Sequence, residues 1–164
     1  MRLLGLDPGL RTTGWGVIDA VGNGLSHVAN GTISAPTDAP LAERLAVLFR
    51  ALEGVVAEHC PEESAVEETF VNRNPASALK LGHARGIVML APALAGVPVS
   101  EYSANVIKKS LVGAGHAGKQ QVAMMVRTLL PGAKVTRADA ADALAVAICH
   151  AHHRGSQVRW AAAV

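Results

Sequence analysis

Carboxylates are the side chains of this sequence best placed to do chemistry. Asp7 closes an apolar stretch, RLLGLD (2–7), and is followed by Pro8 and Gly9, so it is expected at the end of a buried strand with its carboxylate emerging at a sheet edge. Glu67 and Glu68 lie in a second short strand pattern, AVEETF (65–70). Adjacent strand residues point to opposite faces, so only one of the two can share a face with Asp7. Alternation alone leaves open which one. Asp139 and Asp142 are three apart in ADAADALAVAICH (138–150), a segment otherwise of alanine and aliphatics, and that spacing puts both on one helix face.

Each of these acids has a plain structural alternative. Asp7 could cap the turn before Gly9, Asp139 could complete a capping box with Thr136, and Asp142 could be a solvated helix position. Taken together they persuade more, because aspartate has poor propensity inside an alanine-rich helix and needs a reason to be there. Three or four clustered carboxylates with no His or Cys among them repel one another unless cations lie between them, and hard oxygen donors of this kind select Mg²⁺ or Mn²⁺. Such ions hold phosphate, activate water and stabilise a leaving oxygen. A phosphodiester is therefore the expected substrate class.

The elements that would position these acids read in order along the chain. Residues 2–7, 13–20 and 25–34 read as strands, with Asn23-Gly24 as a hairpin turn because both residues favour positive φ. Leu41, Leu45, Leu48, Leu52, Val55 and Val56 recur at helical spacing up to Cys60-Pro61. A strand over 64–69 follows. Asn74-Pro75 then opens a helix into the nineties, whose Ala78, Leu81, Arg85, Val88 and Ala91 could serve either a core or a dimer face. A strand over 97–101 and helices over about 103–112, 119–130 and 137–153 complete the chain. This order points to a mixed sheet flanked by helices in one α/β domain.

Length and composition agree. The chain has 164 residues, 30 of them alanine, with 3% aromatic and 17% charged residues, which excludes a disordered tail, a collagen-like fibre and a disulfide-stapled mini-protein. The net charge of +2 hides a split. Residues 1–68 carry 4 Lys/Arg against 10 Asp/Glu (−6), and residues 69–137 carry 9 Lys/Arg against Glu101 alone (+8). A basic middle of this kind suits a nucleic-acid backbone. Cys60 and Cys149 form no C-x-x-C pattern and are expected as small buried thiols of a reduced, cytoplasmic chain. Asp7 interrupts the apolar start, and the apolar run 87–99 is broken by Pro92, Gly96 and Pro98, so neither a signal peptide nor a membrane span is expected.

Three further patterns weigh less. The glycines of DPGLRTTGWG could cradle a nucleotide phosphate, as in actin-like ATPases, but those need a second domain to close on it. Lys119 follows Gly113, Gly115 and Gly118, yet the G-x-x-x-x-G-K-[ST] spacing fails because Gln120 comes next. His150, His152 and His153 diverge around a helix and do not converge with Cys149 on one zinc ion; a favourable position at a helix C-terminus explains them more simply.

The segments GLDPGLRTTGWG (5–16), AVEETF (65–70), SALKLGHARG (77–86), LVGAGHAGK (111–119), MVRTLL (125–130) and ADAADALA (138–145), in this order, resemble the RuvC family of bacterial Holliday junction resolvases. The resemblance covers about residues 2–152. It implies a ribonuclease-H-like fold over residues 1–155 with a short tail at 156–164, a homodimer, and paired nicking of four-way DNA junctions with two Mg²⁺ per site, Mn²⁺ being a possible substitute. By motif, Asp7, Glu67, Asp139 and Asp142 match the family's acidic metal site, which selects Glu67 over Glu68. Lys108 and Lys119 match lysines that hold the scissile phosphate. Phe70 matches an aromatic at the junction-facing tip, where a wedge or stacking platform would act. Arg73, Asn74, Lys80, Arg85 and Lys109 join Lys108 and Lys119 as expected DNA contacts. His83 stands where Gln is expected in many relatives. The RuvA and RuvB branch-migration proteins are partners implied by the resemblance alone. A nuclease for RNA–DNA hybrids and a non-catalytic junction-binding module are the alternatives.

Overall fold

The computed structural model describes residues 1–68 and 74–161, with side chains as far as Arg154. The elements are β1 (Arg2–Asp7), β2 (Thr12–Val21), β3 (Gly24–Ser34), α1 (Leu41–His59), β4 (Glu63–Glu68), α2 (Pro75–Leu94), β5 (Val99–Ser103), α3 (Ala104–Val112), α4 (Lys119–Leu129) and α5 (Ala138–Ala161). The five strands form one sheet in the order β3-β2-β1-β4-β5. β1 pairs antiparallel with β2, and β2 with β3. β1 pairs parallel with β4, and β4 with β5. The sheet is mixed and flanked by helices, as expected, and β1 is its centre.

Alternation along β1 divides the core. Leu4 and Leu6 join Val17, Val66 and the buried faces of α1 and α2 on one side of the sheet. Leu3 joins Ile18, Ala65 and the inner faces of α3, α4 and α5 on the other. In α2 the buried residues are Ala84, Val88, Ala91 and Pro92, so Val88 and Ala91 of the apolar stripe serve the core, while Ala78, Leu81 and Arg85 are only partly buried. Leu79, Leu90 and Leu94 are its exposed apolar residues.

The helix α5 approaches the sheet closely because glycine clears its path. A Cβ on Gly5 would run into the carbonyl oxygen of Ala143, and one on Gly14 into that of Asp139. The alanines of α5 supply the matching thin surface: Ala140, Ala143, Ala145 and Ala147 are all buried. Backbone thus packs nearly against backbone, which fixes the height of α5 over β1 and β2.

Several boundaries and environments differ from expectation. The β2–β3 hairpin is present, but its positive φ (59°) belongs to Gly22, the first residue of a two-residue loop between the paired Val21 and Gly24. β5 begins at Val99 rather than 97, and α5 runs on to Ala161 rather than ending near 153. Cys149 is buried, and burial pushes its thiol up to about 11. Cys60 is exposed, contrary to expectation. It sits at the left-handed C-cap of α1 (φ 47°), where its N–H donates to Val56 O at 2.9 Å and its thiol donates back to Ala57 O at 3.3 Å.

The histidines also have another explanation. They do not stand at a helix end, since α5 continues beyond them. His150 is buried and lies between Tyr102 Oη and Glu63 Oε2, each at 2.9 Å, while Arg154 reaches the other Glu63 oxygen at 2.8 Å. Burial holds His150 below its ordinary value, against the pull of Glu63. This network ties α5 to the start of β4 and to β5.

Candidate active site

Parallel pairing places Leu6 opposite Val66, so Asp7 and Glu67 end neighbouring strands side by side. On its other flank Asp7 pairs with Gly14, whose bare α-carbon admits the backbone of Asp139. Asp142 follows one turn later on α5. The four carboxylates line one recess of about 250 Å³ together with Lys108 of α3 and Lys119 at the first position of α4. Glu68 points the other way and is exposed, which resolves the pair that alternation left open. Asp7 emerges at the C-terminal end of the central strand rather than at a lateral sheet edge.

Lys119 opens α4, and Lys108 lies in the middle of α3. Ser103 caps α3, accepting from Val106 N at 3.4 Å, and Gln121 Oε1 accepts from the Gly118 N–H at 2.9 Å at the head of α4. The loop after Asp7 is braced from the opposite side of the sheet. Buried Thr13 donates to Gly9 O at 2.7 Å, and Arg44 of α1 donates to Leu10 O at 3.2 Å. Sequence reasoning did not single out Thr13, Arg44 or the helix-contacting role of Gly5 and Gly14. Their signal is tertiary and has no local pattern.

The recess is electrostatically unfavourable to its own acids. Burial, then Glu67, Asp142 and Asp139, push Asp7 up to about 7, with Lys119 opposing. Glu67 is raised too, first by burial and then by Asp142, with Lys119 and Lys108 opposing. Lys119 reaches Asp142 at 3.5 Å while remaining largely exposed. Among the described residues no three His, Cys, Asp or Glu side chains are already drawn into a closed ligand group. The donor set, oxygen only and with excess negative charge, suits a hard divalent cation.

The chain matches the family model described as crossover junction endodeoxyribonuclease RuvC over residues 3–150. The chain belongs to the RuvC family. The crossover junction endodeoxyribonuclease RuvC of Paramagnetospirillum magneticum is 63% identical over 164 residues, covering 100% of this chain and 99% of that protein. That of Gluconacetobacter diazotrophicus is 61% identical over 162 residues, covering 99% and 96%. A solved T. thermophilus RuvC in complex with Holliday junction substrate superposes with a TM-score of 0.90 at 35% identity, covering 96% of each chain. The ribonuclease-H-like architecture expected from the resemblance is therefore the observed one, and the RuvC match spans all six charged residues of the recess.

Outside the recess the expected DNA contacts scatter. Phe70 and Arg73 lie outside the described residues. Asn74 caps α2, its Oδ1 accepting from Ala76 N at 3.0 Å and from Ser77 N at 3.4 Å. Lys80 is exposed on α2, and His83 is exposed on the same helix. Arg85 forms an ion pair with Glu101, so its charge is already matched. Lys109 points away from the acids into a separate recess of about 420 Å³ with Val106, Ser110, His152 and His153.

Proposed function

We propose that this chain is a metal-dependent endonuclease that resolves four-way DNA junctions by paired, symmetric nicks in recombination and repair. What carries the reading is the convergence of Asp7, Glu67, Asp139 and Asp142 with Lys108 and Lys119 in one recess, within a chain of the RuvC family. The four carboxylates would hold Mg²⁺, two ions per site, with Mn²⁺ as a possible substitute. Bound there, the ions supply an activated water and charge stabilisation at the leaving oxygen. Lys108 and Lys119 offset negative charge at the phosphate, a contribution that grows where water is excluded. Phe70 and Arg73 would meet the junction, with Asn74, Lys80 and Lys109 as further contacts. Arg85 contributes by holding α2 to β5.

A homodimer supplies a second site so that both strands are cut, and RuvA and RuvB are the partners the family resemblance supports. A cytoplasmic location suits a DNA-acting enzyme, and among the described residues no helix is long and apolar enough to cross a membrane. Residues 1–155 form the nuclease domain on this reading.

The test is incubation of the chain with a labelled four-way junction, a linear duplex and an RNA–DNA hybrid, each with Mg²⁺ and with chelator. Metal-dependent nicking of the junction alone is the expected result. Preferential cutting of the hybrid would replace the reading with a ribonuclease H activity, and junction binding without nicking would leave a binding module.

A further inference from the structure

Beside the acidic recess runs a second one of about 230 Å³, between α4 and the start of α5. Its polar lining is Arg127, Thr136 and Arg137; its floor is apolar, from Val126, Val135 and Ala141. The two recesses share their walls: Val122 lines the first and Ala123 the second, and on α5 Asp139 and Asp142 line the first while Ala138 and Ala141 line the second. Both arginines are exposed. Neither has an ion-pair partner among the described residues, where the ion-pairing arginines are Arg2, Arg85 and Arg154.

This lack of a partner is a consequence of the charge pattern. Glu101, the single acid between residues 69 and 137, is taken by Arg85. The carboxylates nearest in sequence to Arg137, Asp139 and Asp142, line the other recess. Two uncompensated guanidinium groups on either side of a groove make a site for a phosphate ester, which they can grip through paired N–H donors. Arg127 lies eight residues beyond Lys119 on α4, about 12 Å along the axis at about 1.5 Å per residue. A strand rising about 3.4 Å per phosphate covers that span in about three to four nucleotides.

We propose that Arg127 and Arg137 form a second phosphate-holding subsite, gripping the DNA backbone a few nucleotides away from the phosphate at the acidic recess. The subsite rests on the nuclease reading and adds to it a defined path for the strand, along α4 and across the head of α5. It contributes to grip and register, since both groups stand outside the recess that holds the reacting atoms.

The experiment measures junction binding by fluorescence anisotropy between about 50 and 200 mM salt, in the full chain carrying Asp7→Asn so that no cutting intervenes. The Arg127→Gln/Arg137→Gln pair in that background is expected to raise Kd about tenfold at low salt. It should also flatten the dependence of log K on log salt by about 2, one for each lost phosphate contact. Arg50→Gln, on the exposed face of α1, removes the same kind of charge and should change neither quantity.

Unchanged Kd and slope in the arginine pair, with a steep slope in the parent, would overturn the subsite and leave the nuclease reading standing. An equal effect of Arg50→Gln would overturn it as mere loss of net charge. A parent that does not prefer the junction over linear duplex would instead count against the nuclease reading, and the subsite would fall with it.

Discussion

Asp7 carries the clearest sign of a site built for something other than stability. Its carboxyl is pushed up to about 7 by burial and by three neighbouring acids, so between its ordinary value near 3.8 and about 7 the folded chain holds a proton that the unfolded chain has released. Stability therefore falls as pH rises through that window, and the deficit is complete above it. Asp7→Asn removes the deficit. In the metal-free protein the variant should melt higher than wild type at pH 7.5, by an amount on the order of a few kcal/mol, and the gap should close towards pH 4. Thermal melts of both proteins across this range, in chelator, check it; a gap independent of pH would show that repulsion around Asp7 is not the cause. Lys119 and Lys108 relieve part of the repulsion, but Lys119 is too exposed to neutralise the recess.

At the scale of elements, the candidate active site depends on how closely α5 lies on the sheet. Gly14→Ala would drive a methyl group into the Asp139 carbonyl, and overpacking of this kind costs roughly 1–3 kcal/mol or more. The expected outcome is a lower denaturation midpoint and loss of Mg²⁺-dependent cutting, because Asp139 moves with its backbone. A variant as stable and active as wild type would mean that α5 can lift without consequence. This contact also marks where sequence reading stops. Periodicity was enough for α1, with Leu48, Leu52, Val55 and Val56 all buried, and the three apart spacing of Asp139 and Asp142 was enough to put them on one face. It could not tell that GLDPGLRTTGWG owes Gly5 and Gly14 to a helix more than a hundred residues later. Nor could it tell that His150 is held between Tyr102 and Glu63, since each partner lies on another element. Glu67 was separable from Glu68 only by family resemblance until the register of β1 against β4 placed it beside Asp7.

For the whole molecule, the small net charge conceals an uneven distribution. Glu43, Glu53 and Glu58 are exposed along α1, on one side of the sheet. Lys108, Lys119 and Arg127 belong to α3 and α4, which pack with α5 on the other side, around the acidic recess. Part of the early acid is absorbed internally, by the pairing of Asp19 with Arg2 and of Glu63 with His150 and Arg154. The side that carries α1 is not uniformly acidic, since α1 and α2 also carry Arg44, Arg50, Lys80 and Arg85. The most direct measurement is cleavage and binding of one labelled four-way junction by wild type and Asp7→Asn, side by side in Mg²⁺. Wild type should nick the junction, while Asp7→Asn should bind it with similar affinity and leave it intact. Nicking by Asp7→Asn at the wild-type rate would contradict the assignment of the acidic recess as the catalytic metal site.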